Sequence, residues 1–308
     1  MLLAHLSDPH VLDLRGVPTH RMLFNKRVTG WVNLKLHRGH KHRPAVFRAL
    51  LDDVRAQSPD HVAITGDVTN LSLEPEFEAF RAMLDGLAMS PSDVSVVPGN
   101  HDVYTEGARR AGRFASYLGA YGTSDLDVGT DHAGGRFPFV RLRGAVALVG
   151  LCSAVPRAPL VASGHLGDAQ RAALRGVLAH PEVASRVPVV LAHHPVRDPH
   201  GALASYLRGL DDRDAFAEDL AQGRDVLALH GHWHRRGHER IASAGAVIHR
   251  LGATSASLVH DDADRMAGYN LYEIDADRGL VSARARVWNP STERFDDAAL
   301  PDGASQRG

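Results

Sequence analysis

Cysteine is nearly absent from this chain. The single thiol, Cys152, excludes an internal disulfide and fits a reducing compartment. Charge of one sign is not in excess either: 35 Lys and Arg stand against 36 Asp and Glu, a formal net charge of −1 with neutral histidines. That balance supplies no overall field to steer the protein to nucleic acid or to a membrane. No apolar run approaches the roughly 18 residues of a membrane-spanning helix. The stretch Met1 to Asp8 carries no basic leader and no long apolar core, so no signal peptide is expected. Repeats of fixed period and low-complexity blocks are also missing. The expectation is a soluble cytoplasmic protein. A hydrophobic content of 44% and a charged content of 23% suffice for a substantial core, and 308 residues allow one large domain or two small ones.

What the chain has in quantity is histidine, 20 residues of it. Compositional bias accounts for scattered histidines but not for clusters at the ends of apolar runs. The first hundred residues contain three such runs. Leu2 to Leu6 ends at Asp8 and His10, His61 to Thr65 ends at Gly66-Asp67, and Val94 to Val97 ends at Gly99-Asn100-His101-Asp102. Between them lie two helical patterns. One starts at Pro44 and carries Val46, Phe47, Leu50, Leu51 and Val54; the other is capped by Ser72 and carries Leu73, Phe77, Phe80, Leu84 and Leu87. Strand alternating with helix predicts a parallel sheet with helical crossovers.

Further along, Gly107 to Tyr121 reads as a helix, Gly122 to Gly135 as a loop, and Phe137 to Leu142 with Ala145 to Leu151 as a hairpin. Asp168 caps a helix through Leu178. Two more buried strands, Val187 to Ala192 and Asp225 to Leu229, end at His193-His194-Pro195 and at His230-Gly231-His232-Trp233-His234; a helical stretch from Asp211 to Gln222 separates them. The pattern then turns to β, with Ile241 to Arg250, Gly252 to Val259, Tyr269 to Asp275 and Leu280 to Trp288 expected as an antiparallel sheet. One domain over 1–295 is expected, with 296–308 a polar, disordered tail. Residues 11–43 form a basic insert in which Arg21 to Leu36 reads as an amphipathic helix interrupted by Gly30.

Taken singly, each polar strand end is best read as a turn, a helix cap or a solvated loop. Together they deliver Asp8 and His10, Asp67, Asn100 and His101, His193 and His194, and His232 and His234. In a parallel sheet those ends share one edge, where ligands bind. Carboxylate, imidazole and one amide, without thiolate, form a donor set suited to Zn, Mn, Fe or Ni rather than Ca or Mg. Asp-x-His and His-x-His put alternate residues on one side of an extended segment.

The ordered set Asp8-x-His10, Gly66-Asp67, Gly99-Asn100-His101-Asp102, His193-x-Pro195 and Gly231-His232-x-His234 resembles the calcineurin-like metallophosphoesterase superfamily, over about residues 1–260. Gly164-His165-Leu166, Gln170 and Leu174 also resemble a stretch of its cyclic-nucleotide and glycerophosphodiester branch. The resemblance implies an α/β fold (α+β), a four-layer α/β/β/α sandwich of two mixed β-sheets flanked by helices. It implies two metal ions. Asp8, His10 and His234 would hold one, Asn100, His193 and His232 the other, and Asp67 would bridge them by giving an oxygen to each across about 3.5–4 Å. His193 rather than His194 is implied by its spacing from Pro195. His101 would serve the leaving oxygen with Asp102 orienting it, and Gly99 would keep the turn tight.

The activity implied is hydrolysis of a phosphoester by in-line attack of a metal-bridging hydroxide, the substrate a small phosphodiester of cyclic-nucleotide or glycerophosphodiester type. The basic insert allows other readings: a helix packed on the domain, an oligomer contact, or a lid at 15–43 touching a membrane or lipid. The lid reading brings with it a pyrophosphohydrolase or phosphoesterase alternative, acting on a lipid-linked or UDP-sugar-lipid substrate. A nucleic acid polymer is not expected as partner. A catalytically silent metal-binding regulatory protein is the alternative of another class. Filled ligand positions and the presence of His101 speak against it.

Overall fold

Both faces of the central strands are apolar, and this decides the layering. In the computed structural model, Val146 and Leu148 of one strand join a core shared by the two sheets, while Ala147 and Val149 of the same strand join a second core beneath helices. Alternate side chains of a strand point to opposite faces, so such a strand is covered on both sides. The structure describes residues 1–21, 26–28, 41–132, 135–198, 201–221, 223–243 and 245–302.

Two six-stranded sheets form the inner layers. In the first, β1 (Leu2–Leu6), β2 (His61–Ile64) and β3 (Val94–Val96) run parallel. Crossover helices α1 (Pro44–Gln57) and α2 (Glu74–Leu84) connect them. In the second, β7 (Val146–Gly150), β8 (Val187–Leu191) and β9 (Val226–His230) run parallel, and β6 (Phe139–Arg143) pairs antiparallel with β7. Leu174, Val177 and Phe216 bring the following helices, which include Asp168–Ala179 and Arg213–Leu220, onto the outer core of this sheet. The implied α/β/β/α sandwich of two mixed sheets is the observed architecture.

Several sequence-based expectations need correction. The C-terminal strands do not make a sheet of their own. β12 (Gly268–Asp275) adds antiparallel to β1 and carries β13 (Gly279–Asn289) and β14 (Arg294–Ala299) outward, whereas β11 (Ala246–Gly252) joins β9 in parallel and carries β10 (Gly237–Ser243). The expected strand from Ile241 to Arg250 is therefore two, turning at Gly245, whose φ is +79°. The expected strand at 252–259 is loop beyond Gly252, held by an isolated bridge from Ser255 to Ser7. The tail does not begin at Asp296: that residue pairs with Val287 in β14, which Phe295 anchors by burial.

The helix expected over 107–121 breaks into α3 (Glu106–Arg110) and α4 (Arg113–Leu118) at Gly112, φ +56°. The loop expected at 122–135 contains β4 (Thr130–His132), which pairs with β5 (Gly135–Phe137). Ser72 does not cap α2; its Oγ donates to the Asp102 carbonyl at 2.6 Å, and Leu73 takes the cap position. The amphipathic helix read over 21–36 lies mostly outside the described residues. No described helix is long and apolar enough to cross a membrane.

One buried histidine supplies a test of this packing away from the site. His61 opens β2 with no exposure and meets Ser95 Oγ through Nε2 at 2.9 Å. Burial, with Arg141 and Arg143 adding to it, pushes its pKa down to about 3 from 6.5. The neutral imidazole is thus favoured in the folded state, so its stabilisation is fully present above pH 6.5 and is lost as pH falls toward 3. At pH 5 the loss is about 2 kcal/mol. His61→Gln, which does not titrate, should show a fall in melting temperature between pH 7.5 and 5.0 smaller than the wild type's by about 4 °C. Equal falls in the two proteins would contradict this.

Candidate metal centre

The strand ends picked out from the sequence come together where the carboxyl ends of both sheets meet. Asp8 and His10 follow β1, Asp67 follows β2, Asn100 and His101 follow β3, His193 follows β8, and His232 and His234 follow β9. Asp8, His10, Asp67, His232 and His234 all have left-handed backbone, with φ of 52°, 47°, 51°, 69° and 51°. They are five of the ten such non-glycine residues described. Each costs about 1–3 kcal/mol relative to relaxed backbone, and that strain gathers here because it aims several side chains into one space.

Two glycines allow the loops to approach. A Cβ on Gly99 would lie 2.2 Å from Asp67 Oδ1, and one on Gly231 would lie 1.9 Å from Ser7 Oγ. Gly99 is therefore needed to make room for Asp67, rather than for the tightness of its own turn.

The polar atoms form two half-sites. In one, His234 Nε2 lies 3.2 Å from His10 Nε2 and 3.1 Å from Asp8 Oδ1. In the other, Asn100 Oδ1 is 3.1 Å from His193 Nε2 and 3.2 Å from His232 Nδ1, and the two imidazole nitrogens are 3.2 Å apart. Asp67 stands between them. Its Oδ1 accepts the backbone N–H of His101 at 2.7 Å, and its Oδ2 lies 3.3 Å from His193 Nε2 and 3.9 Å from His10 Nε2. The implied division, one oxygen to each cation, does not match this geometry. A single oxygen faces both half-sites because the other is used by a backbone amide. Asp8 is arranged alike, Oδ2 accepting from His232 N at 3.1 Å while Oδ1 faces inward.

These residues fit a pair of cations. Donor atoms on a single ion, each about 2.0–2.2 Å from it, lie about 3–4 Å from one another, and the donor pairs within the two half-sites lie 3.1–3.8 Å apart. Two facing imidazole nitrogens at 3.2 Å leave one of them without a proton to donate, an arrangement that a shared cation satisfies.

The surrounding hydrogen bonds fix the direction of each ring. His193 Nδ1 meets the Thr65 carbonyl at 2.8 Å, which points Nε2 at Asp67 and Asn100. His194 is spent elsewhere: its Nδ1 meets Ser153 Oγ at 2.8 Å and its Nε2 the Ala162 carbonyl at 2.9 Å. His101 Nδ1 donates to the Asn70 carbonyl at 2.7 Å, and the ring lies against Tyr104, centroids 5.3 Å apart and planes 13° apart. The expectation that Asp102 orients His101 is thus corrected. The Asp102 carboxylate accepts from Gly99 N (2.9 Å), Val68 N (3.2 Å), Thr69 N (2.9 Å) and Thr69 Oγ1 (2.9 Å), so it fastens the loop after β2 to the loop after β3.

The profile of the calcineurin-like phosphoesterases matches residues 1–236. The chain belongs to the calcineurin-like phosphoesterase family. No curated protein sequence matches it. Among solved structures, a dimetal phosphatase from Danio rerio is similar at 14% identity and a TM-score of 0.59, over 94% of this chain and 99% of that one. The phosphoesterase Yfce from E. coli is similar at 14% identity and a TM-score of 0.37, over 97% and 100%. The first of these is a likeness of fold. The family is one of binuclear-metal-dependent phosphoesterases.

Four residues near this family's centre escaped the sequence reading. His42 lies edge-on to His10, centroids 4.8 Å apart, and brings a ring nitrogen within 4.8 Å of donor atoms of His10 and His234. Asn70 Nδ2 donates to the His10 carbonyl at 2.6 Å. Buried Glu76 accepts the backbone amides of Asn70, Leu71 and Leu73. Lys26, from the basic insert, reaches over the Tyr104 ring at 4.6 Å. None of the four carries a signal in the sequence: Leu73 has no side-chain oxygen, so Glu76 three residues later does not read as a capping box.

Charge makes loading of the centre depend on pH. Burial works against protonation of His193, but the adjacent Asp67 carboxylate outweighs it and raises the pKa to about 9. A ligating imidazole must be unprotonated, so a cation taken up beside His193 displaces a proton at neutral pH. Metal affinity should rise about tenfold per pH unit between pH 6.5 and 8.5 and level off above 9. Competition titrations against a chromophoric chelator check this; an affinity independent of pH over that range would contradict it.

Proposed function

We propose that this protein is a binuclear-metal-dependent phosphoesterase that hydrolyses small phosphodiesters of cyclic-nucleotide or glycerophosphodiester type. The observation carrying the reading is the convergence of two half-sites on one oxygen of Asp67, with His101 at their edge. Asp8, His10 and His234 would hold one cation, Asn100, His193 and His232 the other, and Asp67 both. The donor set suits Mn, Fe, Zn or Ni. Cations bound there would offset the charge of the ester and acidify a water near neutral pH.

The chain's own residues supply the rest. His101, its Nδ1 donating to Asn70, presents its other edge toward the space shared by His10 and Asp67, where it can protonate a departing oxygen. Asn100 contributes a neutral oxygen, so its half-site gains a ligand without further negative charge to repel the ester. The diester preference rests on the Gly164-His165-Leu166, Gln170 and Leu174 resemblance. Gln170 itself has a structural duty, gripping Cys152 N and O at 2.8 and 2.9 Å.

Protein reconstituted with Mn, Zn, Ni or Fe should turn over bis(p-nitrophenyl) phosphate faster than p-nitrophenyl phosphate. His101→Ala should keep two metal equivalents and lose roughly 10²–10³ in kcat. Asp67→Ala should lose both metal and activity. Full metal retention and turnover by purified Asp67→Ala would sink the assignment, and failure on every phosphoester with metal bound would favour a binding protein.

A further inference from the structure

Beyond the side chains already assigned to cations, one more imidazole stands at the half-site of Asp8, His10 and His234. The ring centroid of His42 lies 4.8 Å from that of His10 and 5.9 Å from that of His234, edge-on to both. Rings that share a half-site lie at similar spacing, 5.1 Å for His10 with His234 and 5.0 Å for His193 with His232. One ring nitrogen from each of His10, His42 and His234 falls within 4.8 Å of the others.

Backbone pairing holds the His42 ring in place. Arg43 N donates to the Ser257 carbonyl and Val259 N to the Lys41 carbonyl, both at 2.9 Å, which joins residues 41–43 to the loop between β11 and β12. Directly after them α1 starts at Pro44 and buries Val46 and Phe47. The same loop is tied to the centre, because Ala256 N donates to the Ser7 carbonyl at 2.8 Å and Ser255 Oγ to the Asp8 carbonyl at 2.6 Å. The end of the basic insert is thereby fixed beside Asp8.

Ser255 also decides which nitrogen of His42 carries the proton. Its one hydroxyl proton goes to the Asp8 carbonyl, so it accepts from His42 Nδ1, 3.4 Å away, and from Ser257 Oγ, 3.5 Å away. Ser257, having given its proton to Ser255, accepts from His42 Nδ1 at 2.8 Å. With the proton on Nδ1, the lone pair of the neutral ring is on Nε2. Metal-ligating histidines have this arrangement, one nitrogen donating outward while the other binds. Proximity alone does not make a ligand. His194 has its centroid 4.4 Å from that of His232, but its Nε2 donates to the Ala162 carbonyl and its lone pair meets Ser153 Oγ.

We propose that His42 Nε2 is a further ligand to the cation held among Asp8, His10 and His234, and that this half-site loads before the other. With Asp67 counted on both sides, Asp8, His10, His42, Asp67 and His234 then serve the first cation, and Asp67, Asn100, His193 and His232 the second. The first set has an additional imidazole and an additional carboxylate where the second has a neutral amide, so it is the tighter. The basic insert becomes a working part of the centre. The inference rests on the ligand assignment in the phosphoesterase reading.

Metal-stripped protein titrated with Mn tests it. Wild type should bind its first equivalent at least about tenfold more tightly than its second, and His42→Ala should weaken the first by roughly 10–100-fold while leaving the second within about twofold. Electron spin-echo envelope modulation at one Mn equivalent should report three coordinated imidazoles in wild type and two in His42→Ala. The wild-type count decides the matter even if the variant folds poorly. Two imidazoles on the first cation of wild type, an unchanged first affinity in His42→Ala, or a weakened affinity with an unchanged imidazole count overturns the proposal. The reading beneath it fails differently: wild type that takes up no Mn, or Asp67→Ala that keeps both equivalents, contradicts the ligand assignment itself.

Discussion

The centre depends on one carboxylate being shared between loops from neighbouring strands. Asp67 lies close enough to both half-sites only because Gly99 leaves it room, and its outward oxygen is held by the backbone amide of His101. The same two loops are fastened a second time by Asp102, which accepts three amides and a hydroxyl from them. Burial and the charge of Asp67 push Asp102 up to about 7, so these bonds hold a carboxylate that solvent does not stabilise. A buried acceptor with four donors is a strong local constraint, because removing it would strand each donor at a cost of about 1–3 kcal/mol.

Around that fastening, backbone carbonyls and hydroxyls decide which imidazole nitrogen faces inward. Thr65 O sets His193, and Asn70 O sets His101. Ser153 and Ala162 use both nitrogens of His194 and so remove it from competition with its neighbour. The Thr65 hydroxyl is itself tied to His5 at 2.9 Å, and His5 to Tyr272 at 3.3 Å, so a polar chain runs from β12 across β1 to the loop that directs His193. Second-layer partners of this kind tune ligand orientation and basicity.

The identities of the converging residues were legible because strand ends announce themselves: an apolar run followed by glycine and a polar side chain fixes where each group emerges. The pairing of the C-terminal strands was not legible. β12 and β11 are equally apolar to their neighbours, and nothing in their patterns says that one extends the first sheet and the other the second. Roles that depend on a hydrogen bond across loops were hidden for a similar reason. Asp102 follows His101 in sequence, yet its acceptors point toward Gly99 and Val68-Thr69, and the carbonyl that orients His101 comes from Asn70, thirty-one positions earlier. His42 and Lys26 sat in a stretch whose alternating basic and apolar residues read as a solvated helix face. Only tertiary contact brings them to the centre.

The central claim is that two cations share Asp67. Anomalous diffraction from crystals of the Mn-reconstituted protein tests it most directly. The account predicts two strong peaks, one among Asp8, His10 and His234 and one among Asn100, His193 and His232, with Asp67 as common neighbour. A single peak, or a pair lying apart from Asp67, would contradict it.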